Sequence, residues 1–82
     1  MENSDVAIIG IILKNRDSVE ELNKILHEYA EYIIGRMGIP YLKKGINVIS
    51  IAIDAPVEVI DNLSNEICKL EGVSCKVNTS KE

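Results

Sequence analysis

Phenylalanine and tryptophan are missing from this 82-residue chain, and tyrosine occurs only three times. A core built here must be aliphatic, made of Ile, Val and Leu, without the large contact areas of aromatic rings. There is a single histidine, His27, and two separated cysteines, Cys68 and Cys75. Such a set has no recognisable metal-ligand spacing, so no metal site is expected within one chain. It also falls short of a disulfide framework, and both cysteines are expected as thiols in a reducing cytoplasm. Cys75 alternates with Val73 and Val77 and is expected as a small buried hydrophobe; Cys68 lies beside an apolar helix stripe.

Basic charge is also scarce. Thirteen acidic residues against nine basic ones leave a net charge of -4. Without a concentrated basic patch, direct nucleic-acid binding is not expected. Long hydrophobic runs are absent too. The longest, Val6 to Leu13, is far too short to cross a membrane. The start, Met1-Glu2-Asn3-Ser4-Asp5, is polar and acidic, unlike a signal peptide. The length suits one domain over residues 1–82, with 1–4 and 80–82 frayed, and its location is expected to be cytoplasmic.

What the chain does have is periodicity. Val6 to Leu13 is a continuous β-branched run and predicts a strand. Asp17 is the expected N-cap of a helix over about residues 18–31, with Glu20 at the capping-box position. Val19, Leu22, Ile25, Leu26, Tyr29 and Ile33 recur at helical spacing there. The run from Ile33 to Tyr41 predicts a second strand, placed at a sheet edge because it carries Gly35, Gly38 and Pro40. After a turn at residues 42–45, residues 46–54 predict a third strand. Asn47, Ile49, Ile51 and Ile53 share one of its faces; Ile46, Val48, Ser50 and Ala52 share the other. Pro56 opens a second helix with Ile60, Leu63, Ile67 and Leu70 as its stripe, and Gly72 terminates it. Val73, Cys75 and Val77 mark a last strand.

The order β-α-β-β-α-β is the split β-α-β pattern, an α+β ferredoxin-like sandwich with two helices on one face of a four-stranded antiparallel sheet. The first strand is apolar on both sides, so the uncovered sheet face carries a patch including Ile8, Gly10, Ile12, Val48, Ser50 and Ala52. Covering roughly 300–500 Å² of it is worth several kcal/mol at about 25 cal/mol per Å², before association costs. A homodimer or tetramer is therefore expected through these residues.

No acid-base or nucleophile pair is visible, so no catalytic residue is assigned and the chain is not expected to be an enzyme. No cofactor is called for. His27 lies off the apolar stripe and is expected on a solvated helix face or at an inter-subunit contact. Arg36, between Gly35 and Gly38 and next to Met37, is the candidate for holding an anionic ligand through its fork of donors. Asn15 and Arg16, in the first β-α loop, are a second candidate contact near a helix N-terminus. Tyr29, Tyr32 and Tyr41 either line a pocket around residues 35–38 or act as packing anchors.

With these motifs in place, the chain resembles the small regulators associated with iron-only hydrogenase systems. The similarity is carried by residues 8–12 (IIGII), His27-Glu28-Tyr29, residues 32–41 (YIIGRMGIPY), Lys44-Gly45, Ile49-Ser50-Ile51 and Asp54-Ala55-Pro56. That family is similar to ACT-like domains and to the C-terminal domains of nickel-responsive repressors. The resemblance implies an ACT-like fold and an oligomeric regulatory role, with a small-molecule effector or a protein partner in hydrogenase regulation. The histidine-rich nickel ligands and the DNA-binding ribbon-helix-helix of those repressors have no counterpart here. The first β-α loop is Lys14-Asn15-Arg16-Asp17 where amino-acid-binding ACT domains carry a glycine. The alternatives are an interaction module without a ligand, or a transcriptional co-regulator that needs a separate DNA-binding partner.

Overall fold

A computed structural model describes residues 3–80. The elements are β1 (Ser4–Leu13), α1 (Val19–Glu28), β2 (Ile33–Tyr41), β3 (Ile46–Pro56), α2 (Val57–Cys68) and β4 (Val73–Thr79). Single 3-10 turns at Arg16–Ser18 and Ala30–Tyr32 flank α1. The sheet order is β2-β3-β1-β4, and every neighbouring pair is antiparallel. This is the α+β arrangement expected, with both helices on one face of the sheet.

The two central strands explain why the helices settle where they do. β1 and β3 pair over ten residues, from Ser4 opposite Pro56 to Leu13 opposite Asn47. One side of this ladder presents Ala7, Ile9, Ile11 and Leu13 beside Ile49, Ile51, Ile53 and Ala55, all buried. Leu22 and Leu26 of α1 and Ile60, Leu63 and Ile67 of α2 close over them. Burying each Ile or Leu contributes about 1.5–3 kcal/mol, enough for an aliphatic core to hold a domain without Phe or Trp.

The helix entry departs from expectation. Asp17 does not cap α1; Asn15 Oδ1 accepts from the Asp17 backbone N–H at 2.9 Å and caps the preceding 3-10 turn. Ser18 is the N-cap of α1, but its hydroxyl makes no local cap bond. It donates instead to the Glu71 carbonyl oxygen at 2.8 Å. A buried hydroxyl needs a partner, and here the far loop supplies it. Helix α1 also ends earlier than expected, at Glu28, because the backbone leaves the helical region at Tyr29 and tightens into the second 3-10 turn.

The strand pairing reaches farther than expected at both ends. Ser4 opens β1, and Ser80 donates its backbone N–H to Val6 O at 2.8 Å. The outermost residues expected to fray, 1–2 and 81–82, lie outside the described residues.

The two cysteines depart most from the sequence reading. Cys68 and Cys75 are joined in a disulfide, with Cα atoms 5.9 Å apart, inside the range such a bond requires. The antiparallel return of β4 beneath the end of α2 brings them together. A gap of seven residues in sequence carries no sign of that proximity.

The other sheet face has no cover among the described residues. Val6, Ile8 and Ile12 of β1, Val48 of β3 and Met37, Ile39 and Tyr41 of β2 are all exposed there. Gly10 presents no side chain on this face. Ile12, Val48, Ser50, Ser74 and Lys76 surround the resulting hollow of about 440 Å³.

Candidate functional site

β2 is one of the two edge strands, and its position leaves a groove between it and α1. A register irregularity at Ile34 resets the pairing, so that Arg36 lies opposite Ile51, Gly38 opposite Ile49 and Pro40 opposite Asn47. Those partners share the helix-covered face of β3. Arg36, Gly38 and Pro40 thus project toward the helices, yet all three stay exposed because α1 packs over the strands farther in. Gly38 forms part of the floor: a Cβ there would sit 3.9 Å from Ile49 Cγ1. The absent side chain keeps this space open.

Leu13, Val19, Leu22 and Ile49 form the apolar wall of a cavity of about 230 Å³, with Asn23, Arg36 and Asn47 at its polar margin. Arg36 Nη2 donates to Asn23 Oδ1 at 3.1 Å, bridging β2 to α1. No carboxylate pairs with this guanidinium among the described residues. Beyond the bridge, a second cavity of about 300 Å³ is lined by Asn23, Leu26, His27, Ala30, Ile33 and Arg36. One arginine thus serves both halves of the groove. Its unused donors and fixed charge suit an anion, while the Leu and Ile walls suit an aliphatic body.

The other expected site residues are distributed differently. Gly35 and Met37 lie opposite Ala52 and Ser50, on the uncovered sheet face and across the strand from Arg36. Asn15 is committed to the turn before α1. Arg16 borders a small cavity of about 40 Å³ at the turn end of the β2–β3 hairpin, with Pro40, Leu42 and Asn47. His27 is exposed on α1, as expected, and faces the second cavity. Asn23 escaped the sequence reading. Its only signal is its place four residues before His27, at the border between the apolar stripe and solvent. The strand it faces is not readable from that pattern.

Tyr29 and Tyr32 act as packing anchors against the core. Tyr29 Oη donates to Glu66 Oε2 at 2.6 Å, tying α1 to α2 and away from residues 35–38. This hydrogen bond to a carboxylate, helped by desolvation, pushes the Tyr29 hydroxyl up to about 12. Tyr32 is also raised, chiefly through its hydrogen bond to Glu31. Tyr41 lies opposite Ile46, on the uncovered face. Among the described residues, no group of three or more His, Cys, Asp or Glu side chains is placed to hold a metal ion. No helix is long and apolar enough to cross a membrane among those residues.

Residues 5–77 match the family model TM1266-like, described as "Iron-only hydrogenase system regulator, putative". The fold is similar to the structure of uncharacterized protein TM1266 from Thermotoga maritima. That match has a TM-score of 0.91 and 23% identity, and covers 95% of this chain and 99% of that one. The fold is also similar to part of a formyltetrahydrofolate deformylase from Pseudomonas putida KT2440. There the TM-score is 0.66 at 12% identity, over 90% of this chain and 28% of that one. At these identities both structures speak to the fold alone. No curated protein matches the chain.

Proposed function

The chain belongs to the TM1266-like family of iron-only hydrogenase system regulators, and from that premise we propose that it is a non-enzymatic, ligand-responsive regulatory module acting in the cytoplasm. The observation that carries this reading is the Arg36–Asn23 bridge over an apolar groove. A cation without an acidic partner, in a chain of net charge -4, favours a small anionic ligand with an aliphatic body. Such a ligand would exchange Asn23 for its own oxygens at Arg36 and lie over Gly38. It shifts the module between states only through differential affinity for them. Output passes to a protein partner of the hydrogenase system, or to a separate DNA-binding protein.

Self-association belongs to the same proposal. The uncovered sheet face carries Ile8, Ile12 and Val48, each at least two-fifths exposed. It also holds a hollow over Gly10 and Ser50 into which another copy's side chains can fit. An apolar face of this kind is stabilised by a second copy of itself.

A thermal-shift screen against aliphatic carboxylates, phosphates and nucleotides tests the ligand reading. Stabilisation by one anionic class is expected. It should be lost in Arg36→Gln and in Gly38→Val, whose side chain fills the groove floor while the unliganded melting temperature stays near that of the parent. Equal stabilisation of Arg36→Gln and the parent would overturn the site. A second reading, an interaction module without a ligand, draws on the same exposed face. It predicts no anion response and a pull-down from native cells that survives Arg36→Gln.

A further inference from the structure

We propose that Cys68 and Cys75 form a reversible thiol–disulfide site whose state sets how firmly the α2–β4 loop clamps the loop entering α1. This site lies apart from the ligand groove and does not depend on it. Cys68 is the last residue of α2 and is exposed; Cys75 sits half-buried in β4 opposite Ile11. Between them lie only residues 69–74, and residues 71 and 72 hold the neighbouring loop. Gly72 O accepts from the Lys14 backbone N–H at 2.6 Å, and Glu71 O accepts from Ser18 Oγ at 2.8 Å. Gly72 is pressed so closely against Asn15 that a Cβ would come within 2.5 Å of the Asn15 Cβ. The segment that the disulfide closes is therefore the same segment that grips residues 14–18.

Both redox states are provided for. Cys75 Sγ lies 3.8 Å from the Ser64 carbonyl oxygen. In the disulfide this sulfur has no proton to donate. In the thiol state the carbonyl is the acceptor that a half-buried S–H needs, so reduction leaves no stranded donor. Access is one-sided, through exposed Cys68. The thiolate of a low-molecular-weight thiol such as glutathione attacks the Cys68 sulfur. The S–S bond breaks, and Cys75 leaves as a thiolate that takes a proton from water. A second thiol then attacks the mixed disulfide at the glutathione sulfur and releases Cys68. The net change is two protein thiols formed and two glutathione molecules oxidised to one disulfide, a two-electron exchange. In a reducing compartment, a disulfide that forms is usually transient and catalytic or redox-sensing. The four-residue connection from Lys69 to Gly72 gives this one something to sense with. Once the link to β4 is open, the end of α2 is released and the two carbonyls lose their fixed aim at Lys14 and Ser18.

The test uses the full chain equilibrated in glutathione buffers from oxidised to reduced, with alkylation of free thiols read by mass and native-state amide exchange read by residue. No alkylation is expected at the oxidised end and two additions at the reduced end, with the change reversible. On reduction the Lys14 amide, bonded to Gly72 O, should exchange at least about tenfold faster, while the central amides of β1 and β3 keep their protection. The double substitution Cys68→Ser/Cys75→Ser should show the fast Lys14 exchange in every buffer. Two additions in oxidised buffer would overturn the disulfide. Reduction that leaves the Lys14 amide unchanged would overturn the clamp.

Discussion

Gly72 carries two constraints at one position. Its φ of +73° lies in the left-handed region, which costs a residue with a side chain about 1–2 kcal/mol. Any Cβ would also meet Asn15 backbone and side-chain atoms at under 3 Å. Gly72→Ala should therefore cost about 2–4 kcal/mol, strain and overpacking together. For a domain of this size that is a fall of at least about 8 °C in melting temperature, measurable by circular dichroism. Tyr29 offers a pH handle at the same scale. Its hydroxyl titrates at about 12 in the folded chain, against about 10 when unfolded. A raised value means that the protonated form is favoured by folding. The contribution is thus complete below pH 10 and is lost as pH rises from about 10 to 12. Tyr29→Phe should cost about 1 kcal/mol at pH 7 and lose this part of the alkaline fall in urea denaturation.

At the scale of elements, the strands and the start of α2 at Pro56 were readable, and the two ends of α1 were not. Ile33–Tyr41 and the inward residues of β3 follow from period-two alternation and from glycine and proline at an edge, which are local properties. The N-terminus of α1 was misread because the decision there is not local. Asp17 and Glu20 make a plausible capping box, yet Asn15 takes the turn, and Ser18 turns its hydroxyl to Glu71, 53 residues away. Local propensity also did not distinguish the two sides of β2. Arg36 and Gly38 point to the groove and Gly35 and Met37 away from it, because pairing with β3 and the irregularity near Ile34 set the register. A contrast within the β2–β3 ladder tests this layering. Ile51→Ala, in a fully buried position, should cost about 2–5 kcal/mol. Ile34→Ala, 62% exposed at the irregularity, should stay within about 0.5 kcal/mol in the same urea titration.

At the scale of the whole molecule, the sheet has one face closed by helices and one face apolar and open. Ile8→Asp or Val48→Asp places a charge in the middle of that open face without touching the core. Light scattering is expected to report an oligomer for the parent chain and a monomer for either variant; equal masses would remove these residues from the interface.

The aliphatic composition, the period-two runs and the two amphipathic helical stretches by themselves determined the element order and the inward-facing residues, because burial of a periodic apolar face depends only on neighbours a few positions away. The family signature around residues 32–41 was likewise legible as a string. Only the tertiary structure decided the rest. It joined Cys68 to Cys75, gave Ser18 to Glu71 and set Asn23 across from Arg36. Each of these contacts is made between segments whose distance is set by sheet register and helix packing, and no spacing along the chain encodes that distance.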